Sequence, residues 1–189
     1  MRRMVLGLLV VGCGSDPAMA PDAASGPDCT VDPVGPLSLT SSSFASCAAI
    51  PAVNGCAGAN TSPPLAWTGA PAGTQSFAIV FTDLSISLVH WVIFDIPATS
   101  TGLPAAVERA YAPGNAAGAH QTTGYDGNTR GYLGPCPPQA SSHTYQLALY
   151  ALDVAALPGA SSQTTRAEAA GAIMSHQLAT STLTGTFSR

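Results

Sequence analysis

The residues of this 189-residue chain whose types and spacing could do chemistry are two histidines, one aspartate and a proline-rich turn. Asp83 closes the apolar run Phe77-Ala-Ile-Val-Phe81, His90 precedes Trp91 in Val89-His-Trp-Val-Ile-Phe94, and His143 stands two residues before Tyr145. Between the histidines runs Gly131-Tyr-Leu-Gly-Pro-Cys-Pro-Pro138, where Gly134, Pro135, Pro137 and Pro138 make a rigid turn. Imidazoles donate hydrogen bonds to phosphate oxygens and carry charge near neutral pH when a carboxylate stands beside them. A rim held by prolines lowers the ordering cost of binding. Two histidines and a carboxylate are also a ligand set for mononuclear iron and some zinc sites, but the chain has no His-x-x-x-His or His-x-Asp spacing. Serines are plentiful without a Gly-x-Ser-x-Gly elbow, which gives no sequence support to a hydrolase. Plainer roles stand beside these: a histidine at a strand end can be solvated or packed, and Asp83 can cap a turn through its own backbone.

The elements that must position these residues are mainly strands. Phe77–Phe81, Val89–Phe94 and Tyr145–Tyr150 are short, rich in β-branched or aromatic residues, and bounded by Pro, Gly and Ser. Residues two apart share a strand face, so Phe77, Ile79 and Phe81 lead to Asp83. The same period puts His90 on a face with Val92 and Phe94, and His143 on one with Tyr145, Leu147 and Leu149. One segment departs from this pattern: Thr165 and Glu168 form a capping box opening a predicted helix that runs to about Leu178, with Ala169, Ile173 and Gln177 at helical spacing. Leu183–Phe187 returns as a final strand. His120, in a Gly/Ala/Thr loop, and His176, on the predicted helix, are given structural places.

The composition is 46% hydrophobic and 8% charged, which argues for a folded chain with a full core. All six basic residues are arginine, against ten acidic ones, and no basic stripe exists to follow a nucleic-acid backbone. The start, Met1-Arg-Arg-Met followed by Val5–Val11, has a cationic end and an apolar stretch too short to span a bilayer. It reads as an export signal over residues 1–12, and Val10-Val-Gly-Cys13 resembles a lipobox in which Cys13 carries lipid. Cleavage there leaves ten acidic against four basic residues, a formal charge of −6. Residues 13–36 are small and polar and suit a flexible tether of about 25–30 Å, followed by a domain over 37–189. Export also places Cys29, Cys47, Cys56 and Cys136 in an oxidising compartment, where two disulfides are expected in one of three pairings.

Five blocks in order, Ser62-Pro-Pro-Leu-Ala-Trp67, Phe77-Ala-Ile-Val-Phe-Thr-Asp83, His90-Trp-Val-Ile-Phe-Asp-Ile-Pro97, Gly131–Pro138 with His143-Thr-Tyr145, and the closing helix before Leu183-Thr-Gly-Thr-Phe187, make the chain resemble the phosphatidylethanolamine-binding proteins. It is most similar to their bacterial Raf kinase inhibitor-like branch, from about Leu37 to Arg189. The resemblance implies a mainly β fold in which a large antiparallel sheet packs with a smaller one and one helix lies near the C-terminus. It implies a pocket at strand ends built from Asp83, His90, Gly134 to Pro138, His143 and its neighbour Tyr145, taking the phosphate of a phospholipid head group or a similar small anion. It implies a non-catalytic binding protein without a cofactor, and it favours the pairings Cys56–Cys136 and Cys29–Cys47, since the loops holding Cys56 and Cys136 meet at that pocket. With the lipobox, the place expected is the cell envelope, through a lipid anchor. Relatives that inhibit kinases and proteases leave an envelope protease or other protein partner as the alternative role. Two departures stand out: the family's Asp-Pro-Asp-Ala-Pro is here Asp83-Leu-Ser-Ile-Ser87, and its Arg after the second histidine is Thr144.

Overall fold

The computed structural model describes residues 36–189, so the expectations for the signal segment, the tether, Cys13 and Cys29 lie outside the described residues. Strands β1 (Ser38–Thr40), β2 (Leu65–Thr68), β3 (Ser76–Asp83), β4 (Leu88–Pro97), β5 (Gly102–Leu103), β6 (His120–Gln121) and β7 (Ser142–Leu152) precede helix α1 (Arg166–Ser175) and strand β8 (Gln177–Ser188). They form a three-stranded sheet in the order β1-β2-β5 and a five-stranded sheet in the order β6-β4-β3-β7-β8, with every pair antiparallel. This is the mainly β, two-sheet, one-helix architecture expected from the sequence.

Why β3 reads as an unbroken apolar run follows from its place. Phe77, Ile79 and Phe81 enter the core between the sheets, with Leu39, Leu65 and Trp67 of the smaller one. Ala78 and Val80 face the other way, against Val92, Phe94 and the α1 residues Ala169 and Ile173. A strand buried on both faces has no polar side to alternate with. Its C-terminal end is where the buried run reaches Asp83.

Three findings correct the sequence-based expectations. The helix stops at Ser175, short of Leu178. His176 leaves helical geometry, its Nδ1 lies 2.9 Å from Asp153 Oδ1, and its carbonyl accepts from the Asp153 amide at 3.0 Å. From Gln177 the backbone pairs with β7, beginning opposite Leu152, so tertiary pairing overrides helical periodicity. The second correction concerns His90. Phe81 pairs with Trp91 but Thr82 pairs with Val89, which leaves His90 as the extra residue of a β-bulge. The bulge breaks the two-residue alternation, so His90 does not share a face with Val92 and Phe94. Its ring instead meets Phe81 and Tyr145, which belong to the inter-sheet core. His120 likewise begins strand β6 rather than sitting in a loop.

The capping box of α1 is complete: the Thr165 hydroxyl accepts from the Glu168 amide, and the Glu168 carboxylate accepts from the Thr165 amide. Donation from the Thr165 amide, and from the Thr165 hydroxyl at 2.8 Å, holds the Glu168 carboxyl below its ordinary range. Thr165→Ala is expected to lower stability by about 1 kcal/mol, read as a shift of the urea unfolding midpoint at unchanged slope.

Candidate functional site

Asp83, at the end of β3, is 1% exposed. One carboxylate oxygen accepts from the Ser85 amide at 2.9 Å and tightens the four-residue turn into β4. The other lies 2.7 Å from His143 Nδ1. Asp83 is therefore both a turn cap and a histidine partner. The β3–β7 register sets Asp83 opposite Tyr145, and His143, two residues earlier on β7, stands on the same face. With Nδ1 engaged by the carboxylate, Nε2 is the His143 nitrogen left to meet a ligand.

His90 is 3% exposed, and its Nδ1 lies 3.1 Å from the Leu133 carbonyl, which fixes Nδ1 as the donor and Nε2 as the second functional nitrogen. Burial pushes its pKa below the ordinary 6.5, only partly opposed by the Leu133 carbonyl and by Asp83. Tyr145 stands between the histidines, with ring centroids 5.5 Å from His90 and 6.3 Å from His143. Its hydroxyl is buried and has no hydrogen-bond partner of good geometry among the described residues. It faces the Asp83 carboxylate and the Cys136 amide, and burial with that carboxylate pushes its pKa far above the ordinary range. A buried hydroxyl left over beside two histidines is a group available to a ligand.

The rim is locked in several ways. A disulfide joins Cys56 to Cys136, the Cys56 amide donates to the Pro135 carbonyl at 3.0 Å, and the Gly134 amide donates to Asn60 Oδ1 at 2.7 Å. Tyr132 donates its hydroxyl to the Asn54 carbonyl at 2.8 Å. Gly134 is required by close approach, since a Cβ there would stand 2.0 Å from the Asn54 carbonyl oxygen. Gly134, Pro135 and Pro137 are buried in this contact, and Pro138 is exposed. Cys47 is also disulfide-bonded, and its expected partner Cys29 lies outside the described residues.

The turn that replaces the family's proline-rich loop is tied to β7, with the Leu84 amide donating to the Thr144 carbonyl at 2.8 Å and the Thr144 amide to Ser85 Oγ at 3.0 Å. Asp83, His90 and His143 do not make a metal cage: among the described residues no group of three or more His, Cys, Asp or Glu side chains is arranged to hold an ion. Clefts of about 390, 360 and 320 Å³ are lined by other residues, along the 157–164 loop and α1, at the start of α1, and beside Arg109 and Tyr132.

Sequence reasoning missed Tyr125. Its ring centroid is 4.4 Å from that of His90, nearer than any other ring around that imidazole. The available signal was an aromatic residue flanked by glycines, Gly124-Tyr-Asp-Gly127, in an otherwise polar turn.

The chain is a two-sheet β protein that brings a buried histidine–carboxylate pair and a second histidine together at the strand ends, beside a disulfide-pinned proline loop. The family model for phosphatidylethanolamine-binding protein matches residues 40–188, and the chain belongs to that family. It is similar to a UPF0098 protein of Methanothermobacter thermautotrophicus, 40% identical over 134 residues that cover 67% of this chain and 85% of the relative. It is also similar to LppC, a protein of Mycobacterium tuberculosis named as a candidate lipoprotein, 34% identical over 97% of this chain and 92% of the relative. Among solved structures, Escherichia coli YbcL, described as a member of the mammalian PEBP family, superposes with a TM-score of 0.74 at 28% identity, covering 82% of this chain and 99% of YbcL.

Proposed function

We propose that this chain is a non-catalytic envelope protein that binds a phosphate-type anion, free or as a phospholipid head group, through Asp83, His90, His143 and Tyr145. The observation that carries the proposal is the buried Asp83–His143 pair with the unpartnered Tyr145 hydroxyl beside it. The His143 ring points Nδ1 at Asp83 and leaves Nε2 for a ligand, while the tyrosine adds a hydroxyl donor. The His143 ring, 2.7 Å from the carboxylate, covers it, so an arriving anion does not face a bare carboxylate. Envelope placement through a lipid on Cys13 is part of the same proposal, supported by the likeness to LppC over nearly the whole chain.

The sign of the pH dependence follows from His90. Its burial favours the neutral ring, so the unliganded fold is fully supported above pH 6.5 and loses stability as pH falls through the lowered pKa. A bound anion favours the charged ring and reverses that preference. Affinity is therefore expected to rise as pH falls through and below the ordinary histidine range. The test is isothermal titration of the purified chain with inorganic phosphate, phosphoethanolamine and glycerophosphoethanolamine between about pH 8 and about pH 5. The last is a phosphodiester whose charge is constant over that span, so its slope reports the protein alone. Affinity for it that is flat or falls toward low pH would overturn the assignment of His90 to the anion.

A further inference from the structure

The aromatic ring nearest the His90 imidazole comes from a turn that lies outside the sheets. Tyr125 is half-exposed, whereas His90 beneath it is almost fully buried. With Phe81 and Tyr145 edge-on to the imidazole at 5.5 Å and the Leu133 carbonyl on Nδ1, Tyr125 closes a side of the ring not taken by the core.

The turn that carries Tyr125 is built as a unit. The Gly124 amide donates to the Thr129 carbonyl at 2.6 Å, Thr123 and Arg130 form an isolated bridge, and the Asp126 carboxylate accepts from the Asn128 and Thr129 amides and the Thr129 hydroxyl at 3.0, 2.9 and 2.6 Å. Its tip stands clear of its surroundings, since a Cβ on Gly127 would meet nothing within 4 Å. Gly127 and Gly131 both take positive φ, 75° and 89°. The turn is fastened by arginines near its base: Arg166, the first residue of α1, donates to the Thr123 carbonyl at 3.1 Å and to the Gly124 carbonyl, and Arg130 donates to the Ser162 carbonyl at 3.0 Å. Arg166 thus holds the two carbonyls immediately before Tyr125.

We propose that Tyr125 is the roof of the His90 side of the pocket and Arg166 the positioning residue that holds it, so that a ligand reaches His90 only past the Tyr125 ring. The functional meaning of the roof, which is to admit a small phosphate group and exclude bulkier anions, rests on the anion-site reading. The roof itself does not. A cover of this kind fits the near-complete burial of His90 beneath an aromatic ring carried on a separately fastened turn.

The test is carbethoxylation of the full chain by diethyl pyrocarbonate near neutral pH, with each histidine followed by peptide mapping. His120 and His176, both partly exposed, are internal references, since general loosening raises all rates and an opened roof raises His90 alone. His90 is expected to react at least about tenfold more slowly than the references in the wild type, and about tenfold faster in Tyr125→Ala than in the wild type. Tyr125→Phe, which keeps the ring, retains protection. Arg166→Ala raises the His90 rate selectively, and Arg166→Lys, which can still donate to a carbonyl, restores most of the protection. A wild-type His90 as reactive as His176, or rates for His90 unchanged in Tyr125→Ala, would overturn the roof. Repeating the wild-type measurement with saturating inorganic phosphate separates the two ideas: failure of phosphate to slow His90 further counts against the anion reading, while the unliganded rates still decide the roof.

Discussion

Replacing both Cys56 and Cys136 by alanine is expected to lower the free energy of unfolding by about 4 kcal/mol. The disulfide spans 80 residues of sequence, and closing a loop of that order removes much of the freedom of the unfolded chain. Against a total stability of about 5–15 kcal/mol for an ordinary domain, this is a large share. The bridge also fixes the site. Cys136 lies within the rim, its amide faces Tyr145, and the same segment carries the Leu133 carbonyl that orients His90. Freed of the bridge, the rim keeps the Cys56–Pro135 and Gly134–Asn60 hydrogen bonds, each with a net value of about 1 kcal/mol. Anion affinity is expected to fall along with stability. Urea unfolding of the double variant without reductant, so that Cys47 stays oxidised, measures the first effect. A loss under about 1 kcal/mol would show that hydrogen bonds and packing alone hold the rim, contrary to the loop-closure argument.

How much of this was legible in the sequence depends on what each feature rests on. Phe77–Phe81, Val89–Phe94 and Tyr145–Tyr150 are recognisable as strands because their side chains suit a pleated, buried surface, and the structure extends each by a few residues through pairing. Thr165 and Glu168 mark the helix start because a capping box is a local hydrogen-bond pattern. The two-residue strands β5 and β6 carry no such signal, since their neighbours alone define them. The bulge at His90 is invisible for a related reason: it is a mismatch of register between β3 and β4, and no residue type announces it. A strict two-residue period turns His90 toward α1, whereas the bulge turns it toward Tyr145 and makes the site possible. Asp83 and His143 are 60 residues apart in the chain, and only the likeness to a family brought them together before the structure did.

The most severe effect on the site is expected from His143→Ala. It leaves the Asp83 carboxylate, whose side chain is 2% exposed, with the Ser85 amide and the facing Tyr145 hydroxyl in place of a histidine partner. Removing one member of a buried ion pair typically costs about 3–5 kcal/mol because the survivor is stranded. His143 is itself 14% exposed, so water reaches the vacated space and the lower end, about 3 kcal/mol, is expected. Anion affinity should fall about a hundredfold, the value of one charge-assisted hydrogen bond. Asp83→Asn should behave differently. The amide keeps an oxygen for the Ser85 amide and removes the charge, so stability changes by about 1 kcal/mol or less, while affinity still drops because the His143 ring has lost the carboxylate that orients it. The decisive comparison is the double variant. If the cost of His143→Ala is a stranded carboxylate, Asp83→Asn/His143→Ala must be more stable than the sum of the single losses by about 1–2 kcal/mol. Additivity within about 0.5 kcal/mol, measured by urea unfolding of all four proteins, would mean that the 2.7 Å contact between Asp83 and His143 carries no coupling energy and cannot be what prepares the imidazole for an anion.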